Sequence, residues 1–229
     1  MGRRRLAVAG ALLVVAAGCA SHARAAGHRA PAPTSPSTTA APSFVATVAE
    51  VTAAEVAASW HEGCPVPVDR LRAIDAPFWG FDGHVHQGRL VVAADQVAAV
   101  ESVLHALFDA RYAIHRMAPV DRYGGSDDAS VRADNTSAFN CRPATGGRGW
   151  SEHAYGRAID LNPLENPYVR GSTVLPAQSA ALLDRSRTDQ GIIHPGDAAV
   201  RAFAAVGWIW GGQWAGATRD YQHFSPSGR

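Results

Sequence analysis

The run GWSEHAYGRAIDLNP, residues 149–163, sets His153 and Asp160 seven positions apart, with Ser151 two positions before the histidine and Gly156 and Ala158 between the pair. Near the far end of the chain, RDYQHF at 219–224 puts Asp220 three residues ahead of His223. Two neutral imidazoles and one carboxylate are an acceptable ligand set for zinc. Three protein ligands leave a fourth tetrahedral position for water, which is what separates a catalytic zinc from a structural one. Gly156 permits a sharp turn after His153 and Ala158 keeps the following strand slim, so one stretch of chain can carry both ligands to the same ion. Asp220 offers a carboxylate near the ion that need not ligate it, and water activated there needs such a base to take its proton. Arg142, in FNCRP at 139–143, supplies a fixed positive charge for the oxyanion formed when a carbonyl is attacked. Together these residues point to a hydrolase.

A histidine and an aspartate seven apart occur often by chance, so the weight falls on the longer patterns. SEHAYGRAID fits S-x-H-x-x-G-x-A-x-D, and DYQHF fits a later D/E-x-x-H element. Both are similar to motifs of the zinc D-alanyl-D-alanine carboxypeptidases of VanY type, a group that includes the vancomycin-resistance dipeptidases and phage L-alanyl-D-glutamate endopeptidases. FNCRP resembles that family's arginine-bearing segment, and the resemblance runs loosely from about Trp60 to Phe224. It implies that His153, Asp160 and His223 bind Zn2+, that Asp220 is the catalytic base, that Arg142 polarises the scissile carbonyl and that Ser151 helps hold a peptidoglycan stem peptide. The fold it implies is the small α+β domain shared with the hedgehog signalling domain, a small antiparallel sheet flanked by helices.

The cleaved bond stays open at this point. Asp220 stands where the carboxypeptidase and dipeptidase branches use glutamate, which is closer to the phage endopeptidase branch. Release of a terminal D-alanine is the first expectation, with an L-alanyl-D-glutamate-type endopeptidase as its alternative. A non-catalytic zinc-containing wall-binding module is a third reading, against which Asp220 and Arg142 argue because a purely structural site needs neither.

The elements that must position these residues begin after the first forty or so, leaving enough chain for one compact domain, 44–229. Arg3, Arg4 and Arg5 precede LAVAGALLVVAAG, the basic and apolar parts of an export signal spanning residues 1–19 and too short for a stable membrane span. VAAGC resembles a lipobox that would lipidate Cys19 and anchor the domain on the outer face of the membrane; cleavage after Ala25 as an ordinary secretory signal is the alternative. Residues 20–43, mostly Ala, Pro, Ser and Thr, read as a tether. All 21 basic residues are arginine; without the first three, 18 remain against 20 acidic ones, a formal charge of -2 that offers no basic face for nucleic acid. With Cys19 set aside, Cys64 and Cys141 remain. In an exported domain an even pair favours a disulfide, worth on the order of 4 kcal/mol for a loop this long, over two buried thiols.

Within the domain, VAEVTAAEVAASW predicts a helix with Val48, Ala49, Val56 and Trp60 on one side. APFWGFDGHVHQGRLVVAADQ predicts two strands, DQVAAVESVLHALFDAR a helix capped by Asp95, and YAIHRMAPV a strand. Residues 121–136 read as a long loop, RAIDLNP as a short strand and the stretch from Asn166 to Ala177 as another loop. GDAAVRAFAAVG predicts a short helix, and WIWGGQW and YQHF closing strands. Asp127 and Asp128 read as loop solvation, His84 and His86 as a solvated hairpin, Glu152 and Arg157 as solvent-facing. Trp150 and Trp214, one beside each motif, stand open between cleft wall and core.

Overall fold

The computed structural model describes residues 42–147 and 149–228. The export segment, Cys19 and residues 20–41 of the tether lie outside them. The architecture is α+β: small antiparallel sheets flanked by helices.

The longest pairing joins β2 (Leu71–Trp79) to β3 (Val85–Ala93) in antiparallel register from Leu71 opposite Ala93 to Trp79 opposite Val85, with β1 (Thr47–Glu50) on the outer edge of β2. Side chains alternate across a strand, and here both faces are used. Ile74, Ala76, Phe78, Leu90 and Val92 enter the main core, while Leu71, Ala73 and Val91 join Val56, Phe139 and Cys141 in a second cluster. On the second face Arg89 grips Asp75, its direct cross-strand partner, with Nε and one terminal nitrogen each 2.7 Å from a carboxylate oxygen.

Helix α1 (Val97–Asp109) lays Val100, Val103, Leu104, Leu107 and Phe108 on the main core at helical spacing. Its cap is not Asp95. A 3₁₀ turn at Ala94–Gln96 moves the helix start to Val97, Gln96 occupies the cap position without a side-chain bond, and Asp95 reaches Arg157 at 2.5 Å instead.

The helix expected over 48–60 does not form. Its first residues are β1, followed by turns over 53–59. Thr52 and Glu55 do close one reciprocally bonded turn, Glu55 Oε2 accepting from Thr52 N and Oγ1 at 2.8 Å. The turn stops because Asp121, from far along the chain, accepts from Ala58 N and Ser59 N at 2.9 and 3.0 Å. A tertiary carboxylate takes the donors that a continuing helix would have used.

After β4 (Arg116–Met117), residues 121–136 are not a loop. A 3₁₀ helix at Val120–Tyr123 leads to α2 (Asp127–Arg132) and then β5 (Asn135–Thr136), which pairs parallel to β4. Ser126 caps α2 by accepting from Ala129 N, with Asp127 and Asp128 in the first turn where the helix dipole favours them. The stretch after Asn166 is likewise ordered: beyond β6 (Ile159–Asp160), β7 (Tyr168–Arg170) and β8 (Thr173–Leu175) form a hairpin turning at Gly171, whose φ is 58°. Helix α3 (Ala198–Ala205) starts at Asp197, which accepts from Val200 N at 2.9 Å, and packs Phe203 face to face on Phe224 at 3.8 Å. β9 (Ile209–Trp210), β10 (Thr218–Asp220) and β11 (His223–Ser225) complete two further sheets, ordered β6-β11-β9 and β10-β7-β8.

A polar knot joins residues distant in the chain. Buried Asp134 accepts from Leu164 N at 3.0 Å and pairs with His115 at 3.1 Å. Burial, and after it the charge of Asp134, push the carboxyl of Glu165 up to about 8 from an ordinary 4.5. Between those values the folded state holds a proton that the unfolded chain has released, so stability falls as pH rises through the window and levels off above it. Glu165→Gln is expected to remove that part of the pH dependence. Urea denaturation of both proteins at pH 5, 7 and 9 should show the variant gaining on the parent as pH rises; parallel curves would clear Glu165 of this role.

Candidate metal centre

Ser151 opens the site locally. It is the cap of a 3₁₀ helix, Glu152–Tyr155, with its Oγ accepting from His153 N at 3.3 Å. The helix ends at Gly156, whose φ is 64°. A Cβ there would sit 2.5 Å from Ala93 N, and Ala93 N donates to Gly156 O at 2.9 Å. The glycine therefore makes the turn and seats the motif on the end of β3; no other residue fits both demands.

The chain then enters β6, where Asp160 stands directly opposite His223 of β11. Cross-strand partners share a face, so this register alone brings the second and third candidate ligands together. His153 arrives from the 3₁₀ helix. Its Nδ1 lies 2.6 Å from Ala138 O, which fixes the tautomer that leaves Nε2 as a lone-pair donor. Nε2 is 3.1 Å from Asp160 Oδ2 and 3.3 Å from His223 Nδ1, and His223 Nδ1 is 3.1 Å from Asp160 Oδ1.

These separations test the fit to zinc. Ligand atoms about 2.0–2.1 Å from a tetrahedral ion lie roughly 3.3–3.4 Å apart, close to the three observed edges. The chemistry agrees: with His153 Nδ1 committed to a carbonyl, Nε2 and the carboxylate face one another as two acceptors, a contact that needs a cation between them. All three residues are buried, at 2, 5 and 4% exposure for His153, Asp160 and His223. Burial alone would push the Asp160 carboxyl up, but His153 and then His223 outweigh it and hold the group well below the usual carboxylate range. The donor set fits zinc.

Asp220 ends β10. Its Oδ1 is shut off from solvent with no hydrogen-bond partner among the described residues, and burial followed by the charge of Asp160 push its carboxyl up to about 6. A carboxyl within electrostatic reach of the candidate ligands, one of whose oxygens finds no hydrogen-bond partner among the described residues, has the character of a group that handles a proton. The Trp214 ring lies 5.7 Å from that of His223 and walls this side.

Arg142 is ion-paired with Asp127, Nε to Oδ1 at 2.9 Å but without hydrogen-bond alignment, while Asn140 Nδ2 lies 3.4 Å from the same oxygen. Asp127 is thus the counterion of Arg142 rather than loop solvation, and the sequence missed it because the two are brought together by α2. Asp128 pairs with Arg132 on the helix surface. The Arg142–Pro143 segment pairs antiparallel with Trp150–Ser151 through Ser151 N to Arg142 O at 3.1 Å. In that pairing Arg142 and Ser151 share one face, and Trp150 turns to the other, 36% exposed beside His61. Cys141 is joined to Cys64 by a disulfide, Cα to Cα 5.9 Å, immediately before Arg142. His61 lies close to both sulfurs, but sulfurs bonded to each other are not thiolate ligands. His84 and His86 both turn to Asp82 on an exposed hairpin, and Arg157 is taken by Asp95.

A family model described as D-alanyl-D-alanine carboxypeptidase matches residues 145–226. That span holds His153, Asp160, Asp220 and His223, and stops short of Arg142, Asp127 and the disulfide. No curated protein and no solved structure gives a significant match. The matched region is similar to that family, and it contains the His153, Asp160 and His223 cluster that could hold a metal ion.

Zinc should bind the folded chain and raise its stability. At a hundredfold excess over Kd the linkage is about 2.7 kcal/mol, which for a chain of this size is a rise in Tm of roughly 5–10 °C. Asp160→Ala should abolish the zinc-dependent rise, as read by calorimetry with and without zinc. An undiminished rise in the variant would put the ion elsewhere.

Proposed function

We propose that the protein is a zinc-dependent peptidase of the bacterial cell wall that removes the terminal D-alanine from peptidoglycan stem peptides, His153, Asp160 and His223 holding the ion. The observation that carries the reading is the convergence of three buried candidate ligand atoms at tetrahedral-edge spacing, together with an Asp220 Oδ1 that has no hydrogen-bond partner among the described residues. When bound, zinc supplies Lewis acidity, polarising the scissile carbonyl and lowering the pKa of water.

The chain's own residues do the rest. Asp220 accepts a proton from the attacking water as its oxygen bonds to the carbonyl carbon. The oxygen that gains charge is met by the Arg142 guanidinium, whose own charge is balanced by Asp127. Asp220 then gives its proton to the leaving amine as the C–N bond breaks. Ser151 is committed to capping the helix that carries His153, so any hold it has on substrate is secondary to that. On this reading residues 1–19 export the chain, Cys19 anchors it to the outer face of the membrane or cleavage after Ala25 releases it, and residues 20–43 give it reach into the wall. No helix among the described residues is long and apolar enough to cross a membrane.

Mass spectrometry of muropeptides incubated with the zinc-loaded and chelator-stripped protein should show zinc-dependent loss of one alanine from pentapeptide stems. A cut between the first and second stem residues would support the endopeptidase alternative, and no cut at all the binding module. Asp220→Ala should lower kcat by about 10²–10⁴-fold with zinc content unchanged. Full activity in that variant would remove Asp220 as the base.

A further inference from the structure

We infer that Arg170 is the receptor for the free α-carboxylate of the substrate, and that it makes the site an exopeptidase rather than an endopeptidase. The inference rests on the hydrolase reading above and narrows it.

Geometry comes first. In the β10–β7 ladder Thr218 lies opposite Arg170, Arg219 opposite Val169 and Asp220 opposite Tyr168. Residues directly opposite one another, and those two along, share a face. Asp220 and Arg170 therefore project from the same side of this small sheet, on a diagonal of roughly 7–8 Å between backbones, while Arg219 projects from the other. The face that presents the proposed base also presents a guanidinium.

Charge compensation comes second. Arg142 is neutralised by Asp127, Arg157 by Asp95, and Arg219 bonds the carbonyls of Gly216 and Thr218. Arg170 has neither an ion pair nor a hydrogen bond among the described residues. It is not simply waving in solvent, however. A Cβ at Gly146 would collide with Arg170 Nη1, so the guanidinium lies along the Thr145–Gly146 turn. Arg142, three residues before Thr145, reaches the same turn, Nη1 to Thr145 Oγ1 at 3.4 Å. Two arginines thus converge on one turn, one with its charge already matched and one without.

A C-terminal carboxylate lies a single residue, about 3.8 Å, beyond the scissile carbonyl of a carboxypeptidase substrate. A guanidinium one strand away from the proposed base, on the same face and at the end of a long side chain, is placed to meet it. An endopeptidase substrate continues there as a neutral amide and leaves Arg170 without a partner. Carboxylate–guanidinium bonds are the charge-assisted kind that fix orientation as well as affinity.

The test compares an acyl-D-alanyl-D-alanine peptide as free acid and as C-terminal amide, using the zinc-loaded full chain. The parent should favour the acid by about 10- to 100-fold in kcat/KM. Arg170→Gln should lose most of that preference through a higher KM for the acid, with little change in kcat or in KM for the amide; Arg170→Lys should recover part of it. Arg219→Gln, on the opposite face, is the control and should keep the preference. An unchanged acid-to-amide ratio in Arg170→Gln would overturn the inference while leaving the hydrolase standing. Calorimetric binding of the two peptides to Asp220→Asn protein decides the matter without turnover: acid-selective binding lost with Arg170 supports the receptor, and equal binding of acid and amide defeats it. Should the zinc-loaded parent cleave neither peptide in any form, the hydrolase reading fails separately from this one.

Discussion

The structure turns on a carboxylate buried between two imidazoles. Asp160 is almost wholly removed from water, and an isolated charge in that position would cost several kcal/mol. What makes the placement tolerable is that every group around it is fixed to face it. The β6–β11 register sets His223 opposite, a capped 3₁₀ turn delivers His153, and the Ala138 carbonyl holds the His153 ring in one tautomer. A slip of one residue in that register would send Asp160 and His223 to different faces. The backbone bonds between Asp160 and Ser137, at 2.9 and 3.1 Å, tie β6 on its other side and guard against it.

Around that centre the protein separates precise parts from supporting ones. The long β2–β3 pair contributes none of the candidate ligands, yet apolar clusters pack on both of its faces, and the His153 motif is seated against its last residue through Gly156 and Ala93. The Arg142 segment hangs on the second cluster. Cys141 is bonded to Cys64 and its amide donates to Ser59 O at 2.9 Å, so the arginine leaves a backbone that is covalently and hydrogen-bond anchored. Positioning of this kind favours electrostatic stabilisation, because a dipole or charge that does not need to reorganise costs nothing at the moment of reaction.

Arginine is the protein's sole source of permanent side-chain positive charge, and the pairing of each one is informative. Arg89 bridges two acids across the sheet and Arg185 sits over the Tyr221 ring with its guanidinium 4.5 Å from the centroid. Arg70, Arg116 and Arg122 also show no counterion among the described residues, so what sets Arg170 apart is its place on the strand face of Asp220 rather than its lack of a partner.

The His153, Asp160 and His223 cluster was legible in the sequence because motif residues are also geometric necessities. Gly156 must be glycine to turn and to dock, Ser151 caps, and Asp160 and His223 lie in strands short enough to be read from their flanking prolines and glycines. The helices with strong apolar periodicity, α1 and α3, and the paired strands β2 and β3 were legible for the same reason: a period of 3.6 or 2 is local. Where long-range partners take over, sequence reasoning failed. The segment after Thr47 has helix-forming composition, but its donors go to Asp121 and its first residues to the edge of β2. Residues 126–136 fold because Ser126 caps a turn of helix too short to show a period. The Asp127–Arg142 pair, the Ala138 carbonyl and the shared face of Asp220 and Arg170 carry no sequence signature at all. A counterion, a backbone acceptor and a strand register are relations between distant parts of the chain, and only tertiary packing fixes them.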